Sequence, residues 1–165
     1  MKFILISFVL IIGSFSSNNL TNDYSYEATD FSYEDSSGNI INLSDYRGSY
    51  VYIDLWATWC CPCLAQQPYL EKLVYACKDK NITFISISLD DEKDKEQWKL
   101  KIKDKSMGIQ LFEGQNGASD FVHSLQVAFI PRFVIINPNG EIIYNDAPPP
   151  SSPKLKRLFK KIGIL

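Results

Sequence analysis

Apolar and polar positions follow two periods along this chain, and the switches between them lay out its elements. Phe31 to Leu43 reads as two short extended runs around the turn cluster Asp35-Ser36-Ser37-Gly38-Asn39, which predicts a β-hairpin. Tyr50 to Trp56 is β-branched and aromatic, and predicts a buried strand. The period then lengthens. Leu70, Leu73, Val74 and Cys77 stand at i, i+3, i+4 and i+7, one face of a helix, with Pro68 placed to kink it. Ile82 to Leu89 predicts a second buried strand. Asp90 to Lys105 is heavily charged. Trp98, Leu100 and Ile102 alternate there as in a strand, but the length and the Glu, Lys and Gln content favour a helix on a solvent face. Gly108 to Phe112 predicts a short extended piece, and Ala118 to Leu125 a short helix. Arg132 to Ile136 and Glu141 to Tyr144 flank Asn137-Pro138-Asn139-Gly140, a hairpin signal. Ala147 to Pro153 is a Pro/Ser loop. Ser152 caps a last helix that has Pro153 at its first position and Leu155, Leu158, Phe159 and Ile162 on its buried face.

Strands that alternate with helices predict an α/β class: a central mixed sheet, partly parallel, with helices on both faces and an antiparallel hairpin at each end of the order. The start of the chain is different in kind. Lys2 precedes Phe3 to Ile12, apolar except for Ser7, and then Gly13 and a Ser/Asn-rich stretch. This is the pattern of a secretory signal peptide over residues 1–17, followed by a flexible lead-in over 18–27 and one domain over 28–165. The apolar run falls short of the roughly 20 residues a bilayer span needs. An uncleaved N-terminal anchor is the alternative, and no Cys follows the run to carry a lipid. Either way the expected location is periplasmic or otherwise extracytoplasmic, where thiols meet an oxidising environment.

Composition adds limits. With 165 residues, 45% hydrophobic and 22% charged, the chain fits one globular domain with a full core and is not a disordered chain. A formal net charge of -2 argues against a nucleic-acid binder, which needs a basic field.

Three of the four cysteines fall in Cys60-Cys61-Pro62-Cys63. Such clustering is a chemical site, not a disulfide framework. The C-x-x-C pair stands where a strand hands over to a helix. Unpaired N–H groups at a helix start favour a thiolate, and two intervening residues bring the second sulfur within bonding reach of the first. One thiol can then attack a disulfide and the other resolve the product. Pro62 suits a first helical turn and leaves no imidazole beside the thiols, which removes one route to a strongly oxidising pair. Two other readings stay open on these residues alone. One is a structural zinc built from Cys60, Cys61, Cys63 and His123, although no second C-x-x-C exists. The other is a merely structural disulfide, which the surrounding Trp and Pro residues do not suit.

Val51 to Leu73, VYIDLWATWCCPCLAQQPYLEKL, resembles the active-site segment of thioredoxin. LSDYRGS at 43–49, the apparent signal peptide, the long insertion from Asp90 to Gly117 and IPRFVIINPNGEII at 130–143 resemble the TlpA/ResA-like branch of exported thioredoxins. The likeness extends over about residues 28 to 163. It implies a thioredoxin fold with an N-terminal β-hairpin and an inserted helical segment. It also implies a thiol–disulfide oxidoreductase with a redox-active Cys60–Cys63 disulfide, Cys60 attacking and Cys63 resolving, with no cofactor and no metal. Trp59 resembles the Trp that flanks the attacking sulfur. Ile130 and Pro131 match the cis-proline loop that faces the disulfide and offers backbone groups to a substrate chain. Asp54, six residues before Cys60, stands where thioredoxin keeps a buried acid, and the resemblance gives it the proton of Cys63. The ResA-like branch carries a Glu three residues after its second cysteine, where this chain has Gln66, which cannot transfer a proton.

Two features depart from that pattern. Cys61 adds a third thiol beside the pair. Cys77 lies about 21 Å from Cys63 by helix rise, out of bonding reach, and is expected as a core residue. The implied partners are cysteine-containing proteins and a membrane-bound thiol electron donor, with the protein acting as a monomer in the reducing direction. The alternatives are a disulfide oxidase or isomerase, and a thiol-based metal-binding or metal-delivery module of the same fold.

Overall fold

The computed structural model describes residues 25–165. The expected signal peptide and most of the lead-in lie outside these residues. In chain order the strands are β1 (Tyr26–Glu27), β2 (Ser32–Asp35), β3 (Ile40–Asn42), β4 (Tyr50–Trp56), β5 (Ile82–Ser88), β6 (Ile109–Phe112), β7 (Arg132–Ile136) and β8 (Glu141–Tyr144). The helices are α1 (Cys61–Leu64), α2 (Gln67–Ala76), α3 (Lys95–Ile102), α4 (Asp120–Ser124) and α5 (Pro153–Lys161). All strands join one sheet in the order β1-β8-β7-β4-β5-β6-β2-β3. β4, β5 and β6 run parallel, and every other pairing is antiparallel. This is the expected mixed sheet. It begins earlier than expected, because Tyr26 and Glu27 pair with Ile142 and Glu141 and so belong to the domain, not to a lead-in.

The period-two alternation of β4 sorts the core. Val51, Ile53 and Leu55 pack with Phe121, Val122 and Leu125 of α4 and with Phe31 and Tyr33 of the first hairpin region. Tyr52 faces the other way, into a cluster with Leu70 and Cys77 and with Leu155 and Phe159 of α5. Trp56, on the same face as Tyr52, packs with Cys60, Cys63 and with Trp98 and Ile102 of α3. Helices therefore cover both faces, and the side chains that pack on the cysteines come from the end of the central strand.

Three local outcomes refine the sequence reading. Pro68 does not kink one long helix; the helix divides after Leu64 and Pro68 sits in the first turn of α2, where its missing N–H is no loss. The charged segment forms a helix only over Lys95–Ile102, and it is not simply a solvent face. Trp98 and Ile102, one turn apart, are buried, while Leu100 points to solvent; a helix separates these three where a strand would align them. The turn before β8 closes as read. Asn137 Oδ1 accepts the N–H groups of Asn139 and Glu141, both at 3.0 Å, and Gly140 takes φ +82°. Among the described residues no helix is long and apolar enough to cross a membrane.

Candidate active site

β4 ends in Trp56, and the chain turns through Ala57, Thr58 and Trp59 before α1 begins. Cys60 N–H donates to Ala57 C=O at 3.1 Å, which closes the turn. Cys60 is the N-cap of α1, and its sulfur accepts the N–H of Cys63 at 3.2 Å. Pro62 occupies the first turn, where no N–H is needed. Cys60 and Cys63 are joined in a disulfide with a Cα–Cα distance of 5.3 Å. Both are buried, among Trp56, Ala57, Trp98 and Phe112. Cys61 is a free thiol turned to solvent. Cys77 is a free thiol buried under α2, and burial pushes its pKa up, as befits a core residue.

Asp54 lies on the β4 face that carries Tyr52 and Trp56. Its register neighbours are Ser86 on β5 and Phe133 on β7. It is 4% exposed, with Ser86 Oγ donating to Oδ2 over 3.5 Å and with no partner for Oδ1 among the described residues. Burial pushes its carboxyl up to about 7, against a small pull downward from Ser86. Its charge therefore changes near neutral pH. Strand register thus puts a titrating acid on the same sheet face as Trp56, the last residue of the strand that leads to the disulfide.

Trp59 projects from the turn and is 64% exposed. It borders a cavity of about 440 Å³, whose walls include Leu89, Asn116, Val127, Phe129 and Ile130. The Ile130–Pro131 peptide is cis. Ile130 also touches the cluster around Cys60 and Cys63, so the loop before β7, Trp59 and the disulfide meet at one edge of the sheet. The zinc grouping does not assemble. His123 is on α4, across the sheet from the cysteines, and Cys61 faces outward. Gln66 is not directed at the pair; its Oε1 accepts Ser151 N–H at 3.2 Å.

Sequence reasoning missed two acids. Asp90 is fully buried, not the first residue of a solvent helix. Its carboxyl accepts Thr58 N–H at 3.0 Å, Thr58 Oγ1 at 2.8 Å and the Ser88 hydroxyl. It ties the end of β5 to the turn that presents Cys60. Glu113 is also buried and accepts the N–H groups of Gln115, Gly117 and Ser119, each at 2.9 Å, which shapes the loop along the cavity. A usable signal for Asp90 was its place directly after a parallel strand, the edge at which α/β sheets build sites.

Residues 25–145 match the model of the AhpC/TSA family. Thiol-disulfide oxidoreductase ResA of Bacillus cereus is 26% identical over 157 residues, covering 95% of this chain and 88% of that protein. Among solved structures, the thioredoxin domain of a thiol-disulfide oxidoreductase from Bacteroides vulgatus superposes with a TM-score of 0.71 at 26% identity, covering 83% of this chain and 95% of that one. A thiol:disulfide interchange protein from Bacteroides sp. gives a TM-score of 0.72 at 28% identity, with 84% and 90% covered.

Proposed function

The chain belongs to the AhpC/TSA family, and from that membership and its Cys60–Cys63 pair we propose an exported reductase of protein disulfides. As a thiol–disulfide oxidoreductase it exchanges electrons with cysteine-containing partners. In the reduced enzyme the Cys60 thiolate attacks one sulfur of a substrate disulfide. A mixed disulfide forms and the substrate's other sulfur leaves as a thiolate. Cys63 then loses its proton to Asp54 and attacks the Cys60 sulfur. The Cys60–Cys63 bond closes and the second substrate thiol departs, so two electrons pass from enzyme to substrate. Trp59, Ile130 and Pro131 border the approach and hold the substrate chain against the sulfur.

The observation that carries the reducing direction is the apolar packing of the pair. The side chains packed on the pair, Trp56, Ala57, Trp98 and Phe112, are apolar, and Asp54, on the same face of β4 as Trp56, becomes negative as pH rises. With apolar side chains packed on it, the thiolate is supported by the Cys63 N–H at the helix start and not by a cation packed against the sulfur, which favours the disulfide form and so favours giving electrons away. Export is supported by the basic tip, apolar run and small residues of positions 1–17. Each turnover leaves the enzyme oxidised, so a thiol donor at the membrane must restore it. The enzyme acts as a monomer.

The experiment is disulfide reduction of insulin, with a trapping variant beside it. Cys60→Ser abolishes turnover, and Cys63→Ser accumulates a covalent adduct with substrate on non-reducing gels. Full activity in Cys60→Ser moves the nucleophile to Cys61 or Cys63 and overturns the assignment.

A further inference from the structure

A strongly basic surface lies on α5, apart from the disulfide. Lys154, Lys156, Arg157, Lys160 and Lys161 fall within about 13 Å of helix and are all exposed, and residues 147–165 contain no acid. None of the ion pairs among the described residues includes them. The spacing sets like charges against one another: Lys156 with Lys160 and Arg157 with Lys161 at i, i+4, Lys154 with Arg157 and Arg157 with Lys160 at i, i+3. Each such pair weakens a helix. The macrodipole accounts for Lys160 and Lys161 in the last turn but opposes Lys154 in the first. Lysine-rich α3 shows the contrast, for there Lys99 pairs with Glu96 at 2.8 Å and Lys95 with Glu34 at 2.7 Å.

α2 extends the same surface. Lys72, Lys78 and Lys80 are exposed, against Glu71 and Asp79 as acids. Tyr69 and Tyr75 stand out between them, with Lys78 Nζ 5.4 Å from the Tyr75 ring centroid. A groove of about 530 Å³ separates the two helices, with Leu73, Ala76, Leu155 and Leu165 among its walls. Both helices start beside the active-site edge, where Ser151 meets Gln66. They end at the opposite edge, where Tyr50 OH donates to Ile162 C=O at 3.0 Å. The cations therefore line the side of the domain, from Lys154 beside the active-site edge to Lys161 at the far edge, and none of them lines the cavity at Trp59.

We propose that the α2/α5 face docks on an anionic phospholipid surface, with the Cys60–Cys63 edge standing to the side of the contact and the cavity at Trp59 left open. Charge complementarity gives the partner its sign. Tyrosines interleaved with lysines suit a bilayer interface, where an aromatic ring sits at headgroup level and cations meet phosphate. The anionic surface offsets the like-charge repulsion that the helix carries alone.

The test uses the full chain and sedimentation with vesicles of phosphatidylcholine, with and without phosphatidylglycerol. The difference between the two vesicle types reads the electrostatic part, whatever the N-terminal apolar run contributes to both. The expected result is binding enhanced by phosphatidylglycerol and lost as salt is raised. A combined Lys156→Gln, Arg157→Gln and Lys160→Gln variant weakens that enhancement about 100-fold, while insulin reduction is unchanged and thermal stability is no lower than in the parent. Equal binding to both vesicle types, an unaltered enhancement in the triple variant, or binding to polyglutamate without binding to vesicles overturns the proposal.

Discussion

Asp90 holds Thr58. One buried carboxyl at the end of β5 accepts both the backbone N–H and the hydroxyl of a residue two positions before Cys60. The turn that carries Trp59 and the first cysteine is thereby fixed to the parallel core of the sheet, and the position of the disulfide depends on an acid far from it in sequence. Asp90→Ala leaves three buried donors unpaired, those of Thr58 N–H, Thr58 Oγ1 and Ser88 Oγ, and is expected to cost about 3–5 kcal/mol. Thr58→Val removes the hydroxyl alone and costs about 1–2 kcal/mol. Denaturant melts of the single and double variants check the link: the double variant is less destabilised than the sum of the two by about 1 kcal/mol or more. Strict additivity would mean the two side chains do not work as a unit.

Asp54→Asn separates stability from catalysis. The folded carboxyl titrates near 7, above the usual Asp value, so the folded state binds the proton more tightly than the unfolded state. Stability from this group is fully present below the unfolded pKa and is lost as pH rises from about 4 through about 7. Removing the charge therefore stabilises the protein above pH 7 by up to about 4 kcal/mol, and has little effect at pH 4. Chemical denaturation at the two pH values checks it.

The same substitution slows resolution of the mixed disulfide more than first attack, by about 10²–10⁴ near neutral pH. Gln66 cannot replace the base. In the parent the resolving step speeds up as pH passes through about 7; in the variant it recovers only at higher pH, where Cys63 ionises unaided. Single-turnover kinetics across pH distinguish the two. An unchanged resolution rate at every pH would make Asp54 structural.

Cys61→Ala keeps turnover near the parent value. The Cys61 thiol is exposed while its neighbours form the buried disulfide, so exchange proceeds without it. Mass mapping of the oxidised parent finds Cys60 joined to Cys63; a bond to Cys61 in its place would contradict this.

Most of the fold was legible because its signals are local. The Asn137–Gly140 turn, the Ser152-Pro153 cap and the aromatic, β-branched run of β4 each act within a few residues. The C-x-x-C pair was legible for the same reason, with its strand before it and its helix after. Asp90 was not, since it opens a run of Asp, Glu and Lys that reads as solvated, and only the crossing from β5 back to Thr58 buries it. Trp98 was hidden similarly: its burial depends on Trp56, Phe112 and the cysteines, none of them near it on α3. The basic face of α5 was passed over, because the last helix was read from its cap and its buried residues alone, and only the fold shows that no acid among the described residues pairs with its cations.

The reduction potential of the Cys60–Cys63 couple tests the central claim most directly. Equilibration with dithiol and glutathione buffers, read by alkylation of the free thiols in Cys61→Ala, gives it without interference from the third cysteine. An apolar site with Asp54 on the strand that leads to it predicts a reducing couple, below about -200 mV and toward the thioredoxin value near -270 mV. A value near -120 mV, that of a strong oxidant whose thiolate is stabilised, would contradict the reductase account.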